Sequence, residues 1–129
     1  MNEMADRSRD WLAQAEHDLE AAASLAQAGH HEWACFVCQQ AAEKAVKAVH
    51  LARGQESWGH RVARLLEELR DAPADLIEIG RSLDAFYIPT RYPNGHPEGA
   101  PFEQYGPLQS GEARRLARQV VDHARSQVP

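Results

Sequence analysis

Arg91 and His96, separated by Tyr92-Pro93-Asn94-Gly95, have side chains suited to phosphate chemistry. An imidazole titrates near neutral pH and can take up or release a proton, while a guanidinium grips phosphate oxygens through a fork of N–H groups. Pro93 and Gly95 can turn the chain so that both side chains face one way. Arg91 also suits a structural task, pairing with a carboxylate to tie its segment down. Asp18, Glu43 and Lys44 form a second group. Asp18 falls on the apolar arc of a helical pattern, where a lone carboxylate is costly, so a charge-assisted contact with Lys44 or Arg91 is expected. Joined to Arg91, with Tyr92 beside it, Asp18 and Lys44 would support a nucleotide or phosphate site.

Three further patterns carry weaker chemistry. His31, Cys35 and Cys38 stand at i, i+4 and i+7. Structural zinc takes four ligands, and a free Cys in a central helix is ordinarily buried, so neither a metal nor a cofactor is expected. Arg114, Arg118 and Arg125 line up on one helical side and read as a solvated face or, if copies are brought together, a nucleic-acid surface. Trp33 and Trp58 read as core or interface anchors, Trp58 being the better interface candidate because it lies in a turn.

The elements that must position these residues are helical. Ala occurs 22 times and Val plus Ile only ten, which favours helix over sheet. Helical periods run over residues 7–28, 32–53, a short stretch after residue 60, 74–87 and 110–127, five helices in all. Gly29 and Gly54 stop the first two, and Ser110 is a plausible N-cap for the last. The second is apolar over more than half its circumference, so it should be central and the most buried. Residues 88–109 hold five of the seven prolines with Tyr92, Phe102 and Tyr105 between them. A loop of that length is usually functional or disordered, and its aromatics predict that it folds back onto the bundle.

Length and charge bound the class. A chain of 129 residues fits one domain, residues 1–129. A net charge of −5 argues against nucleic-acid binding through bulk charge, although twelve of the fourteen basic residues are arginine, the side chain suited to local phosphate contacts. No apolar run is long enough to span a membrane, and residues 1–10 lack the apolar segment of a secretory signal. With two cysteines, this predicts a soluble cytoplasmic protein.

The chain resembles the HEPN domain family. The likeness is carried by Trp11-x3-Ala15-x2-Asp18-Leu19, by the string from Ala34 and Phe36 through Gln39-Gln40-Ala41-Ala42-Glu43-Lys44-Ala45-Val46-Lys47-Ala48, by His60, and by Tyr87-x2-Thr90-Arg91-Tyr92-Pro93. The resemblance implies an all-α fold, an antiparallel four-helix bundle with an extra short helix. It implies a homodimer that partners a minimal nucleotidyltransferase in a toxin–antitoxin-like or defence module, and binds nucleotide or that partner without catalysis. Several branches of the family are metal-independent RNases built on an Arg-x4–6-His motif, which Arg91 and His96 satisfy. In that alternative they would be catalytic: the imidazole moves the proton of an RNA 2′-hydroxyl and the guanidinium holds the phosphate.

Overall fold

The computed structural model describes residues 3–129, with side chains from residue 7 onward, so the first two residues of the N-terminal stretch lie outside the described residues. Among the described residues the chain forms six α-helices and no strand: α1 (Glu3–Gln27), α2 (His31–Ala52), α3 (Val62–Leu69), α4 (Ala74–Asp84), α5 (Pro101–Gln104) and α6 (Pro107–Gln127). A 3-10 turn, Pro93–Gly95, interrupts the segment between α4 and α5.

Gly29, at φ +88°, reverses the chain in three residues, so α1 and α2 are antiparallel neighbours with the most extensive contact in the molecule. Side chains at both ends fix the direction of α6. Ser110 meets His31 at 2.8 Å and Gln127 meets Arg53 at 3.1 Å, which places start against start and end against end. Thus α6 runs parallel to α2, and α1 runs antiparallel to both, with Arg9 reaching the carbonyl of Pro129. The long return path through α3, α4 and the proline-rich segment makes this parallel pairing possible.

The core is made of small side chains. Ala15, Ala22, Ala41, Ala42, Ala45, Ala113, Ala117 and both cysteines are fully buried, and the largest fully buried side chains are Leu65, Leu66 and Leu83 of α3 and α4. As its wide apolar face predicts, α2 contributes more buried residues than any other helix. The two helices of the α3–α4 hairpin pack on each other through close backbone approach. A Cβ on Gly80 would stand 2.9 Å from the Ala63 nitrogen, so only glycine fits there.

Three expectations need correction. The helix expected over residues 74–87 ends at Asp84, because Pro89 disfavours helical backbone at Ile88 and the chain continues in tight turns closed by Phe86 and Tyr87 N–H groups. The last helix starts at Pro107 rather than near Ser110. Proline at the first helical position lacks only an N–H that has no partner there anyway. Ser110 is therefore not the N-cap. That position is Gly106, whose N–H donates to Gln109 Oε1 at 2.8 Å. One more α-helix exists than periodicity can reveal, since α5 is a single turn.

Candidate functional site

The polar side chains between α2 and the end of α4 form one connected chain. Glu43 on α2 is 6% exposed, and its carboxylate accepts hydrogen bonds from Lys47 Nζ at 3.1 Å, His60 Nδ1 at 3.2 Å and Gln40 Nε2 at 3.5 Å. A buried carboxylate needs such donors, and Lys47, one turn later, is the nearest source. His60 is stacked on the Tyr87 ring, with centroids 5.4 Å apart and planes 15° from parallel. The Arg91 guanidinium lies 4.6 Å from the Tyr87 ring centroid and 4.5 Å from that of Phe36, while its Nε donates to the Tyr87 carbonyl at 2.8 Å. Tyr92 approaches Arg91 at 5.2 Å and Trp33 packs edge-on against Phe36.

Two groups hold this cluster in register, one half-buried and one fully buried. Asp84 at the end of α4 accepts the backbone N–H groups of Val62 and Ala63 at 2.7 and 3.1 Å, capping α3 from outside that helix. Gln39, fully buried on α2, donates to the His60 carbonyl at 2.7 Å and to Asp84 at 3.3 Å. The start of α3, and with it His60, is therefore clamped between α2 and α4. With Nδ1–H directed at Glu43, the His60 ring keeps Nε2 for a second contact. Its side chain is 58% exposed, so Nε2 is open to a bound molecule.

The structure distributes the residues singled out in the sequence as follows. Asp18 takes Lys44 as its partner at 2.6 Å and also accepts from Gln14 at 2.8 Å. This pair joins α2 to α1 and shares no contact partner with Arg91 among the described residues, so the Asp18, Lys44 and Glu43 group divides into two sites, one toward α1 and one toward His60. Arg91 has no carboxylate partner among the described residues. Aromatic faces hold it, and they replace the ion pair expected to tie the loop down. His96 sits elsewhere: its Nε2 is 2.6 Å from the Pro89 carbonyl and its ring meets Tyr105 edge-on. Arg91 and His96 have no partner in common. The loop is ordered against the bundle through Tyr105, which also meets Phe86, but Tyr92 and Phe102 remain exposed.

The other patterns resolve into structure. Burial pushes the Cys35 and Cys38 thiols up to about 12, with Glu32 adding to the effect at Cys35 and Cys35 adding to it at Cys38. His31 is taken by Ser110, and no group of three metal-ligating side chains occurs among the described residues. The arginine stripe on α6 is largely neutralised: Arg125 meets Glu16 at 2.6 Å and Asp122 at 3.3 Å, and Arg118 lies 3.9 Å from Asp122. Trp58 is 78% exposed and belongs to no core. No helix is long and apolar enough to cross a membrane. Sequence reasoning missed Lys47, Gln39 and Asp84. The Glu43–Lys47 spacing of four was a visible signal for the first of these, and nothing local marked the other two.

An all-helical bundle that clamps a Glu–His–Tyr–Arg chain between its central helix and a short hairpin defines the class of protein. The chain belongs to the HEPN domain family, whose model matches residues 8–127. It is 46% identical to TT1696 from Thermus thermophilus, covering 94% of this chain and 98% of that one with a TM-score of 0.91. An archaeal HEPN homologue, ST0689, is 38% identical over the full length of both chains, with a TM-score of 0.84. A HEPN domain protein from Thermotoga maritima is 31% identical over 97% of this chain and 96% of that one, with a TM-score of 0.59. No curated protein matches the chain.

Proposed function

We propose that this HEPN protein is the non-catalytic, nucleotide- or partner-binding member of a two-protein module with a minimal nucleotidyltransferase, of toxin–antitoxin or defence type. It acts in the cytoplasm as a homodimer. The observation that supports the reading is that Arg91 and His96 engage different partners. Arg91 is held by Tyr87 and Phe36, and His96 Nε2 by the Pro89 carbonyl, so neither contact aligns the imidazole with the guanidinium. Arg91 keeps its terminal N–H groups for a phosphate. The exposed Trp33, Tyr92 and Ile88 add apolar surface for a protein partner.

The test is to purify the chain alone and with the nucleotidyltransferase encoded beside it. A stable complex, weakened by Arg91→Ala and Trp33→Ala, together with no cleavage of structured RNA by the lone chain, is the expected result. Cleavage that survives chelators and is lost in both Arg91→Ala and His96→Ala would replace this reading with the metal-independent RNase. Light scattering should give twice the 14.4 kDa chain mass at micromolar concentration. A monomer there would count against the dimer.

A further inference from the structure

Most of the arginines are already engaged. Arg7, Arg53, Arg81, Arg115, Arg118 and Arg125 pair with carboxylates, Arg9 donates to a carbonyl, and Arg91 sits among aromatic rings. Four guanidiniums, those of Arg61, Arg64, Arg70 and Arg114, have no hydrogen bond, ion pair or ring contact among the described residues. Three of these four line a single open groove of about 480 Å³ on the α3–α4 hairpin. Arg81 lines it as well, against the carboxylates of Glu67 and Glu68, so the groove is positive in a chain whose net charge is −5.

The fold makes no use of this gathering. Unpaired like charges on one concave surface repel one another, and nothing in the bundle is bonded to these three side chains. Arg61 and Arg70 flank α3, nine residues apart, which is about 13 Å along a helix axis at 1.5 Å per residue. One phosphate cannot satisfy both. The groove also shares Arg61 and Arg81 with a second groove of about 490 Å³, lined further along by His60, Tyr87 and Ile88. A charged track thus opens onto an apolar and aromatic one.

We propose that the α3–α4 groove binds a chain of adjacent phosphates, over Arg61, Arg64 and Arg70, in a ligand whose base or sugar extends toward Tyr87 and Ile88. The chemistry is that of an oligophosphate, whether the tail of a nucleotide or the backbone of a single RNA strand. Arginine suits it because its planar fork takes two phosphate oxygens at once. The site does not use the Arg91 guanidinium and does not rest on the two-protein module.

Binding is measured by calorimetry at low salt with two probes, inorganic tripolyphosphate and a short single-stranded oligoribonucleotide. Saturable binding of at least one probe is expected. The logarithm of affinity for the RNA should fall with the logarithm of salt at a slope of about −2, since each single-strand phosphate contact contributes about −0.7. The double variant Arg61→Ala/Arg64→Ala should weaken binding by at least about tenfold, the loss expected when even one charged hydrogen bond is removed. Both side chains are exposed and without contacts, so the melting temperature should not change. Arg114→Ala, which removes the fourth unpaired guanidinium, should leave binding intact. RNA bound more tightly than tripolyphosphate assigns the strand, and RNA bound equally or more weakly assigns the phosphates alone; either supports the site. The proposal is overturned by absence of saturable binding for both probes, by equal loss in Arg114→Ala, or by an acidic peptide of matched charge binding as well as either probe.

Discussion

At the scale of single residues, the two carboxylates of the polar network show how burial dictates partners. Asp18 on α1 and Glu43 on α2 are each matched by a lysine of α2, Lys44 and Lys47, offset by one turn or less from Glu43. Lys44→Met should cost about 1–3 kcal/mol in denaturant unfolding, because Asp18 would be left with the Gln14 amide as its donor, and adding Asp18→Asn should recover part of the loss. The two thiols give a pH prediction. Cys35 and Cys38 are raised from 9.0 to about 12 by desolvation, so the folded chain keeps them neutral where the unfolded chain ionises them. Their contribution to stability is complete below pH 9 and is lost as the pH rises toward 12. A disulfide reagent at about pH 8, just below the usual thiol range, should accordingly label neither thiol in the native chain and both in denaturant. Rapid native labelling would show that these cysteines are accessible.

At the scale of elements, the α3–α4 hairpin is the part on which the site most depends. Hydrophobic spacing makes α3 a helix, but Asp84 and Gln39 decide where it begins, and that in turn sets His60 above Tyr87. Asp84→Ala removes an acceptor from two N–H groups and should cost about 1–2 kcal/mol, read by thermal melting. The same variant should disturb the signal of the His60 ring in NMR spectra, whereas a merely local fraying of α3 at its far end would not. Gly80→Ala pushes a methyl group against the Ala63 backbone and should cost about 1–3 kcal/mol, because neither helix can withdraw without opening the core around Leu83.

At the scale of the whole molecule, a core of alanines and short branched chains brings α1, α2 and α6 close together and leaves little room for change. Ala117→Leu, at a fully buried position, should destabilise by about 1–3 kcal/mol or more and broaden the unfolding transition, while Arg125→Ala on the surface of the same helix should stay within about 0.5 kcal/mol. Equal effects would mean that the helices can separate without penalty. The charge distribution belongs to this scale too. The acidic chain pairs its α6 arginines, Arg114 apart, and leaves those of α3 open, so the unpaired basic side chains gather where the groove lies.

The helical class, the central place of α2 and the stop at Gly29 were all legible in the residues, because periodicity and glycine act through the backbone within a few positions. That Asp18 would take a cation, Lys44 or Arg91, was also legible, since a carboxylate on an apolar arc is costly alone, and the fold decided for Lys44. The division of the polar residues into two sites was not. Lys44 and Lys47 are three residues apart on one helix, and only the positions of α1 and α3 around it determine which acid each one meets. The spacing of Arg91 and His96 permitted convergence, but spacing within a turn does not set direction. Only the tertiary structure decided that Arg91 packs on Phe36 and Tyr87 and that His96 meets a carbonyl seven residues back. The unpaired arginines were in plain view as letters. Arg61, Arg64 and Arg70 gather because all three lie on or beside α3, whereas the groove they line is completed by Arg81, which the fold of α4 back onto α3 brings beside them.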